Sequence, residues 1–331
     1  MMRILAGDIG GTRTRLCIAE CAGTDCHSRH KQEFLSRSYT GLVPILDEFL
    51  RRAPDIDAVC LGIAGPVRET AAGQRVTVTN LPWTIESREL AKTFGFNRVR
   101  LINDFQAVGY GIEALSEDDF VSLQSGEPVV HAPCATIGAG TGLGQGLLIW
   151  QQDHYEAIAT EGGHADFGPA DDLQIELVRY LHRTAGHASY EKLLSGPGLV
   201  RLYIFLREQG VAPETAALAA AIATGDPAAA ITRAALAGQD DLANHALELF
   251  MRIYGAQAGN LALSAGALGG VYIAGGIAPR IINRLSDGRF MQAFCNKGNM
   301  SHLAAAIPVR VILNPDVGLM GATAAGVRMV Q

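Results

Sequence analysis

The sequence predicts an α/β protein built as two lobes, and three observations carry that expectation. Apolar runs of β type alternate with segments of helical spacing along 331 residues, a length that allows two domains. A strand, a Gly/Thr-rich turn and a second strand begin at Ile4, and the same order recurs from Ala135. Helices follow each hairpin. This is a weak internal repeat of hairpin-plus-αβα type, not a solenoid, and two such halves would leave a cleft of the kind where ligands bind.

The first half reads as follows. Arg3–Asp8 is a strand, and Thr14–Glu20 its hairpin partner across Gly10-Gly11. Lys31–Ser38 is a third strand. Leu42, Ile45, Leu46 and Phe49 have helical spacing, so Leu42–Arg51 is a helix that stops before Pro54. Ala58–Ile63 and Arg75–Thr79 are strands, and Ile85–Thr93 is a helix with Thr84 as its candidate N-cap. Val99–Ile102 is an apolar strand that ends at Asn103-Asp104, and Phe105–Leu115 is helical.

The second half opens with Ala135–Ile137, the turn Gly138–Gly144 and the strand Gln145–Trp150. Leu173–Thr184, Leu199–Glu208 and Ala228–Leu236 are helices, and Leu242–Leu268 is a long Ala/Leu-rich one. Gly269–Ala274 is a strand feeding Gly275-Gly276. Val309–Leu313 is the last strand, and Gly318–Met329 a small-residue helix.

Composition narrows the function classes. With 48% hydrophobic and 18% charged residues the chain has the material for real cores. The net charge of −6, with no basic block, argues against nucleic-acid binding. No apolar run reaches the roughly 18–20 residues that span a bilayer. An acidic residue at position 8 comes too early for a signal peptide. None of the six cysteines forms a Cys-x-x-Cys pair. Cys21 and Cys26 flank a polar turn with His27 and His30 nearby, a spacing that matches no usual zinc pattern. Reduced thiols in a cytoplasmic protein are the expectation.

Two turns carry the first chemistry. Gly7-Asp8-Ile9-Gly10-Gly11-Thr12 and Gly138-Ala139-Gly140-Thr141-Gly142 can each offer backbone N–H groups and a threonine hydroxyl to a phosphate. Gly140 and Gly142 let the backbone approach without a Cβ. A carboxylate beside phosphates is repelled unless a cation lies between them, so Asp8 implies Mg²⁺. Together the turns imply a nucleotide held between two loops. For any one such loop the alternative is a plain hairpin turn.

Five blocks occur in order: Gly7–Thr12, Leu101-Ile102-Asn103-Asp104-Phe105, Gly138–Gly144, Glu161-Gly162-Gly163-His164 and Ala274-Gly275-Gly276-Ile277. In these the chain resembles the bacterial glucokinases, of the non-zinc branch of the hexokinase and actin-like ATPase superfamily, from Ile4 to Gly326. The resemblance implies an actin-like, ribonuclease H-like fold with an interdomain cleft. It implies a small domain of 1–112 plus 316–331 and a large one of 113–315. It implies ATP-dependent phosphorylation of the glucose 6-hydroxyl, the first step of glycolysis, with ATP and Mg²⁺ as cofactors, usually in a homodimer.

Each site residue has a second, blander reading. Asp104 follows a strand and precedes a helix, where it can act as base toward a sugar hydroxyl or serve as an ordinary N-cap. Asn103 can bond adjacent hydroxyls or simply shape a turn. Glu161 and His164, on a Gly-Gly hinge, suit vicinal diols, and the resemblance favours them as sugar ligands over solvated loop residues. Glu191 matches a further sugar contact of the family; otherwise it is an exposed glutamate at a helix start. Thr12 and Thr141 face phosphates. Gly275 and Gly276 could seat a flat adenine or ribose. Asp316, Gly318 and Gly321 need be no more than helix capping and close packing.

Two departures stand out. Arg13 occupies a position where many relatives carry Asn or Lys, and no zinc-ligand cysteines follow His164. The latter disfavours the zinc-bearing kinase and repressor branch, and no helix-turn-helix segment precedes Ile4. The rival readings are a kinase for another hexose or an amino sugar, a silent sugar- or ATP-binding regulator, and an actin- or chaperone-like ATPase.

Overall fold

The computed structural model of the chain describes residues 1–23, 25–51, 55–71 and 73–330. Its strands are β1 (Met2–Ile9), β2 (Arg13–Ala22), β3 (Asp25–Leu35), β4 (Ala58–Ile63), β5 (Val67–Thr70), β6 (Gly73–Thr77), β7 (Thr84–Glu86), β8 (Val99–Asn103), β9 (Phe120–Gln124), β10 (Cys134–Ala139), β11 (Leu143–Gln151), β12 (His154–Thr160), β13 (Gly270–Ala274) and β14 (Val309–Ile312). Contacts divide the chain into two units, each described by itself. The first comprises Met1–Asp119, Gly146–Ala159 and Asn314–Gln331, and the second Phe120–Gln145 and Thr160–Leu313.

The first unit is organised by a five-stranded sheet of order β3-β2-β1-β4-β8. β1 pairs antiparallel with β2 and parallel with β4, and β4 pairs parallel with β8. Central strands buried on both faces read as continuous apolar runs, and every residue of β4, Ala-Val-Cys-Leu-Gly-Ile, is buried. On one face Leu5, Ile9, Leu16 and Leu61 pack with Ile45, Leu46 and Phe49 of the helix Leu42–Leu50. The helix Val317–Arg328 lies over β1, so close that a Cβ on Gly326 would stand 2.5 Å from Ile4 Cγ2. The same helix crosses Asp104–Gly111 backbone to backbone. A Cβ on Gly321 would fall 1.7 Å from the Ala107 carbonyl oxygen, and one on Gly111 2.1 Å from that of Val317. Gly321 is therefore a packing residue.

The second unit contains β9, β10, β13 and β14, in the sheet order β10-β13-β14-β9. The chain leaves this unit along β11 at Gln145 and returns at Thr160, the last residue of β12. The long helix Asp241–Ala265 ends where Gly266 turns left-handed at φ 58°. Its fully buried Tyr254 hydroxyl accepts from Ala139 N–H at 3.2 Å and donates to Ile137 O at 3.3 Å. That pins the end of β10, and burial pushes the phenol well above its ordinary pKa. Among the described residues no helix is long and apolar enough to cross a membrane.

Several expectations are corrected. The third strand runs over Asp25–Leu35, and Ser36–Ser38 is a 3₁₀ turn rather than its continuation. β3 is an edge strand, polar on both faces, so apolar alternation could not reveal it; charges such as Arg29 and Lys31 protect such an edge. Thr84 starts the short strand β7, and the helix begins at Ser87 with Glu86 before it. The long helix stops at Ala265 instead of Leu268. Pro54, expected to follow the helix at Leu42, lies outside the described residues. Cys21 and Cys26 are register partners at the tip of the β2–β3 hairpin and form a disulfide. The expectation of thiols throughout therefore fails at that pair, while Cys17, Cys60, Cys134 and Cys295 are free.

Candidate active site

The first glycine turn joins β1 to β2. Gly10 N–H donates to Arg13 O at 2.9 Å, and Ser36 braces the turn by donating through its hydroxyl to Gly10 O and through its N–H to Thr12 O. Thr12 is exposed at the tip. Asp8 faces Arg15 across the hairpin, with Arg15 Nη1 3.9 Å from Asp8 Oδ2. Arg15 also donates to Glu33 Oε2 at 3.0 Å and to the Pro315 carbonyl at 2.8 Å. Arg13 turns away to pair with Glu33, so the departure from the family pattern is spent on a surface ion pair.

Asp8 lies at the start of the helix Val317–Arg328. A Cβ on Gly318 would stand 3.6 Å from its carboxyl carbon. Helix N-termini favour a negative charge. The side chain keeps 32% of its surface, yet loss of solvent on its other sides raises its pKa. The Arg15 guanidinium opposes that rise, and Asp316 and Glu33 add to it. Asp316 is itself paired with Lys31. No group of three or more His, Cys, Asp or Glu able to hold a metal occurs among the described residues. A lone, partly exposed carboxylate fits Mg²⁺, which keeps its waters and takes one or two carboxylates together with substrate phosphates.

Asn103 closes β8, and Asp104 opens the helix Asp104–Gly111. The N-cap is Asn103, not Asp104: Asn103 Oδ1 accepts from Phe105 N–H at 2.8 Å and Gln106 N–H at 3.3 Å. Its Nδ2 donates to Gly65 O at 3.2 Å. Asp104 Oδ1 accepts from its neighbour Phe105 N–H at 3.0 Å. Gly62 on β4 is in register with both Asp8 and Ile102. Asp8 and the Asn103-Asp104 pair therefore stand near the carboxyl edge of one sheet with a single strand between, about 10 Å apart at strand spacing.

In the second unit the turn Gly140–Gly142 joins β10 to β11. Gly140 N–H donates to Gly142 O, and Gly140 O accepts from Gly196 N–H, each at 2.8 Å. The Ala139 and Gly140 amides are thus spent within the unit, and Thr141 is the exposed tip. Gly275 adopts φ +82° and packs against this turn, since a Cβ on it would fall 2.5 Å from Ala139 O. Gly276 follows as the chain leaves β13.

Glu161, His164 and Glu191 come together in the second unit. Gly162–His164 forms a 3₁₀ turn, and Glu191 N–H donates to Gly163 O at 2.8 Å. His164 Nδ1 is 3.9 Å from Glu191 Oε1, and His164 Nε2 is 3.9 Å from Glu161 Oε2. These distances are too long for hydrogen bonds and leave room for a ligand's hydroxyls. Glu191 does not start a helix: Leu193 and Leu194 N–H groups fold back on Tyr190 O, and Ser195 caps the helix Gly196–Glu208. Sequence reading missed Arg15 and Gln145. The hairpin register about Gly11-Thr12 is the signal that finds Arg15. Gln145, on β11 beneath the turn at Gly162, is 2% exposed, and its Nε2 has no hydrogen-bond partner.

Asp8, Asn103 and Asp104 thus belong to the first unit, and Thr141, Glu161, His164, Glu191, Gly275 and Gly276 to the second. The family description Glucokinase matches residues 5–329. A glucokinase of Nostoc sp. (strain PCC 7120) is 42% identical over 346 aligned positions, which cover 99% of this chain and 100% of that one. The crystal structure of a glucokinase from an Antarctic psychrotroph superposes with a TM-score of 0.82 at 31% identity, covering 98% of this chain and 99% of the other. A glucokinase of the ROK family from Streptomyces griseus, solved with glucose and AMPPNP, shares the fold at a TM-score of 0.65 and 19% identity, over 98% and 99% of the two chains. The fold is that of the actin-like ATPases, and this chain belongs to the glucokinase family.

Proposed function

We propose that the chain transfers the γ-phosphoryl group of ATP to the 6-hydroxyl of glucose. Family membership supports the reaction. The observation that carries the sugar reading is the grouping of Glu161, His164 and Glu191 around one short turn, with side chains separated by 3.9 Å. Carboxylates and an imidazole so spaced can each bridge two hydroxyls.

In this reading Asp104 is the base. A sugar hydroxyl is a poor nucleophile, and a carboxylate that accepts its proton as the new P–O bond forms is worth about 10²–10⁴-fold. Asp104 is held for that task by the Phe105 N–H and by its place at a helix start. Asn103, although committed as N-cap, keeps a second Nδ2 proton to donate to a hydroxyl. Glu161, His164 and Glu191 orient the ring. Gly10, Gly11 and Thr12, with Gly140, Thr141 and Gly142, form the phosphate-binding turns, and the buried strand residues Gly7, Ile9 and Gly138 lead into them. Gly275 and Gly276 seat the nucleoside. Asp8 would hold Mg²⁺, in part through its waters. Bound Mg²⁺ would supply charge neutralisation to the donor's phosphates.

A homodimer and a cytoplasmic location belong to the same proposal and rest on the family resemblance; sedimentation tests the first. The test of the reaction is ADP release measured with glucose, mannose, fructose and N-acetylmannosamine as acceptors. Turnover with glucose well above the others is expected. A preference for another sugar reassigns the substrate, and full ATP hydrolysis without any sugar makes the chain an ATPase instead.

A further inference from the structure

One carboxylate in the second unit touches two parts of the proposed machinery. Glu191 Oε2 accepts from the Leu143 N–H at 3.1 Å, and Leu143 is the first residue of β11, directly after the Gly140–Gly142 turn. Gly142 leaves the space that this bond needs: a Cβ there would stand 2.6 Å from Glu191 Oε2 and 3.3 Å from its carboxyl carbon. The other oxygen, Oε1, faces His164 Nδ1 across 3.9 Å. The backbone binds the same parts, since Glu191 N–H donates to Gly163 O at 2.8 Å. A Cβ on Gly163 would fall 2.1 Å from Leu143 O, so the sugar-ligand turn and the start of β11 are in direct backbone contact.

The segment that begins at Glu191 then returns to the same loop. Ser195 Oγ donates to Glu191 O at 2.8 Å and accepts from Gly198 N–H at 3.0 Å, which fixes the segment's shape. At its far end Gly196 N–H donates to Gly140 O at 2.8 Å. Residues 191–196 thus hold the turn on both sides, at Leu143 through a side chain and at Gly140 through the backbone.

We propose that Glu191 is a positioning residue for the phosphate-binding turn, so that sugar and nucleotide bind cooperatively through its carboxylate. The inference rests on the assignments of Glu191 and of the Gly140–Gly142 turn made above. A carboxylate has two oxygens with about four acceptor sites, so it can serve a sugar hydroxyl and the Leu143 N–H together. A hydroxyl bonded to Oε1 fixes the carboxylate plane. That holds Oε2 on Leu143 N–H and favours one shape of the turn, the shape a phosphate meets. Linkage makes the effect reciprocal for the two binding equilibria.

The experiment is isothermal titration of glucose and of Mg·AMPPNP, each alone and with the other saturating, on the wild type and three variants. In the wild type each ligand tightens the other by about 5-fold or more. Gly142→Ala moves the carboxylate while keeping every sugar ligand, and Gly142 is not among the positive-φ glycines, so its backbone accepts alanine. It is expected to weaken glucose binding without nucleotide by about 5-fold, although it lies in the phosphate turn. Glu191→Ala, which removes the acceptor of the Leu143 N–H, is expected to weaken Mg·AMPPNP binding without sugar by a similar factor. His164→Ala, which removes a sugar ligand with no bond to the turn, leaves nucleotide affinity unchanged. Two results each overturn the coupling: a Gly142→Ala glucose Kd equal to that of the wild type, or equal nucleotide affinities in Glu191→Ala and His164→Ala. A wild type that binds no glucose at all overturns the sugar assignment instead. Unchanged melting temperatures show that the variants fold.

Discussion

Asp8 and Arg15 are register partners in the β1–β2 hairpin, with Arg15 Nη1 3.9 Å from Asp8 Oδ2. This is too long for a hydrogen bond and short enough to lower the cost of a carboxylate that has lost much of its water. The arrangement keeps Asp8 available to a cation from its open side, while Arg15 is held by Glu33 and the Pro315 carbonyl.

Asp8→Asn should trade activity against stability. The folded-state pKa of Asp8 is raised, first by loss of solvent and then by Asp316 and Glu33 against the opposing pull of Arg15. A raised carboxyl pKa contributes stability that is fully present below the unfolded value of about 3.9 and lost as pH rises through the folded value. At neutral pH and without Mg²⁺, the variant should therefore be at least as stable as the wild type in urea, and this advantage should vanish below about pH 4. The Mg²⁺ needed for half-maximal rate should rise about tenfold or more, because a group that orients the ion through its waters is gone. An unchanged Mg²⁺ requirement would remove Asp8 from the metal site.

Tyr110 gives an alkaline signature. It is 2% exposed, its hydroxyl donates to Glu156 Oε1 at 2.5 Å, and Arg328 lies over its ring at 4.9 Å from the centroid. Burial first, and then the Glu156 bond, push its pKa up to about 12. Stability from this group is complete below about pH 10, where the unfolded phenol titrates, and is lost as pH rises toward the folded value. Tyr110→Phe should cost about 1 kcal/mol at pH 8 and flatten the fall above pH 10, read by urea unfolding across pH. An alkaline slope equal to that of the wild type contradicts the assignment.

The Cys21–Cys26 disulfide closes a short loop, so its effect on the unfolded chain is small. The loop-closure relation puts it at about 2 kcal/mol for a handful of residues. Intact mass before and after reduction should differ by two hydrogens, and reduction should lower the melting temperature by a few degrees. A mass unaffected by reductant means free thiols, as composition alone suggested.

What was legible in the sequence follows from locality. The two glycine turns, the strand end at Asn103-Asp104 and the long helix that ends near Gly266 are written in consecutive residues. The first half of β3, before Lys31, is illegible because its exposed faces carry no apolar alternation. β9 and β12 are illegible for a related reason: both are only partly buried, with one buried residue between them. The capping role open to Asp104 belongs to Asn103, a choice between adjacent residues that depends on backbone angles. The clustering of Glu161, His164 and Glu191 followed the resemblance, not the spacing. The bonds from Glu191 to Leu143 and from Tyr254 to Ala139 span 48 and 115 residues, and no local pattern encodes them.

The central claim is that the Asp104 carboxylate takes the proton from the sugar hydroxyl. Glucose binding by titration and turnover by ADP release, measured side by side on Asp104→Ala, test it most directly. The account predicts a glucose Kd close to that of the wild type with kcat lower by at least about 10²-fold. A variant that turns over at near full speed would contradict it.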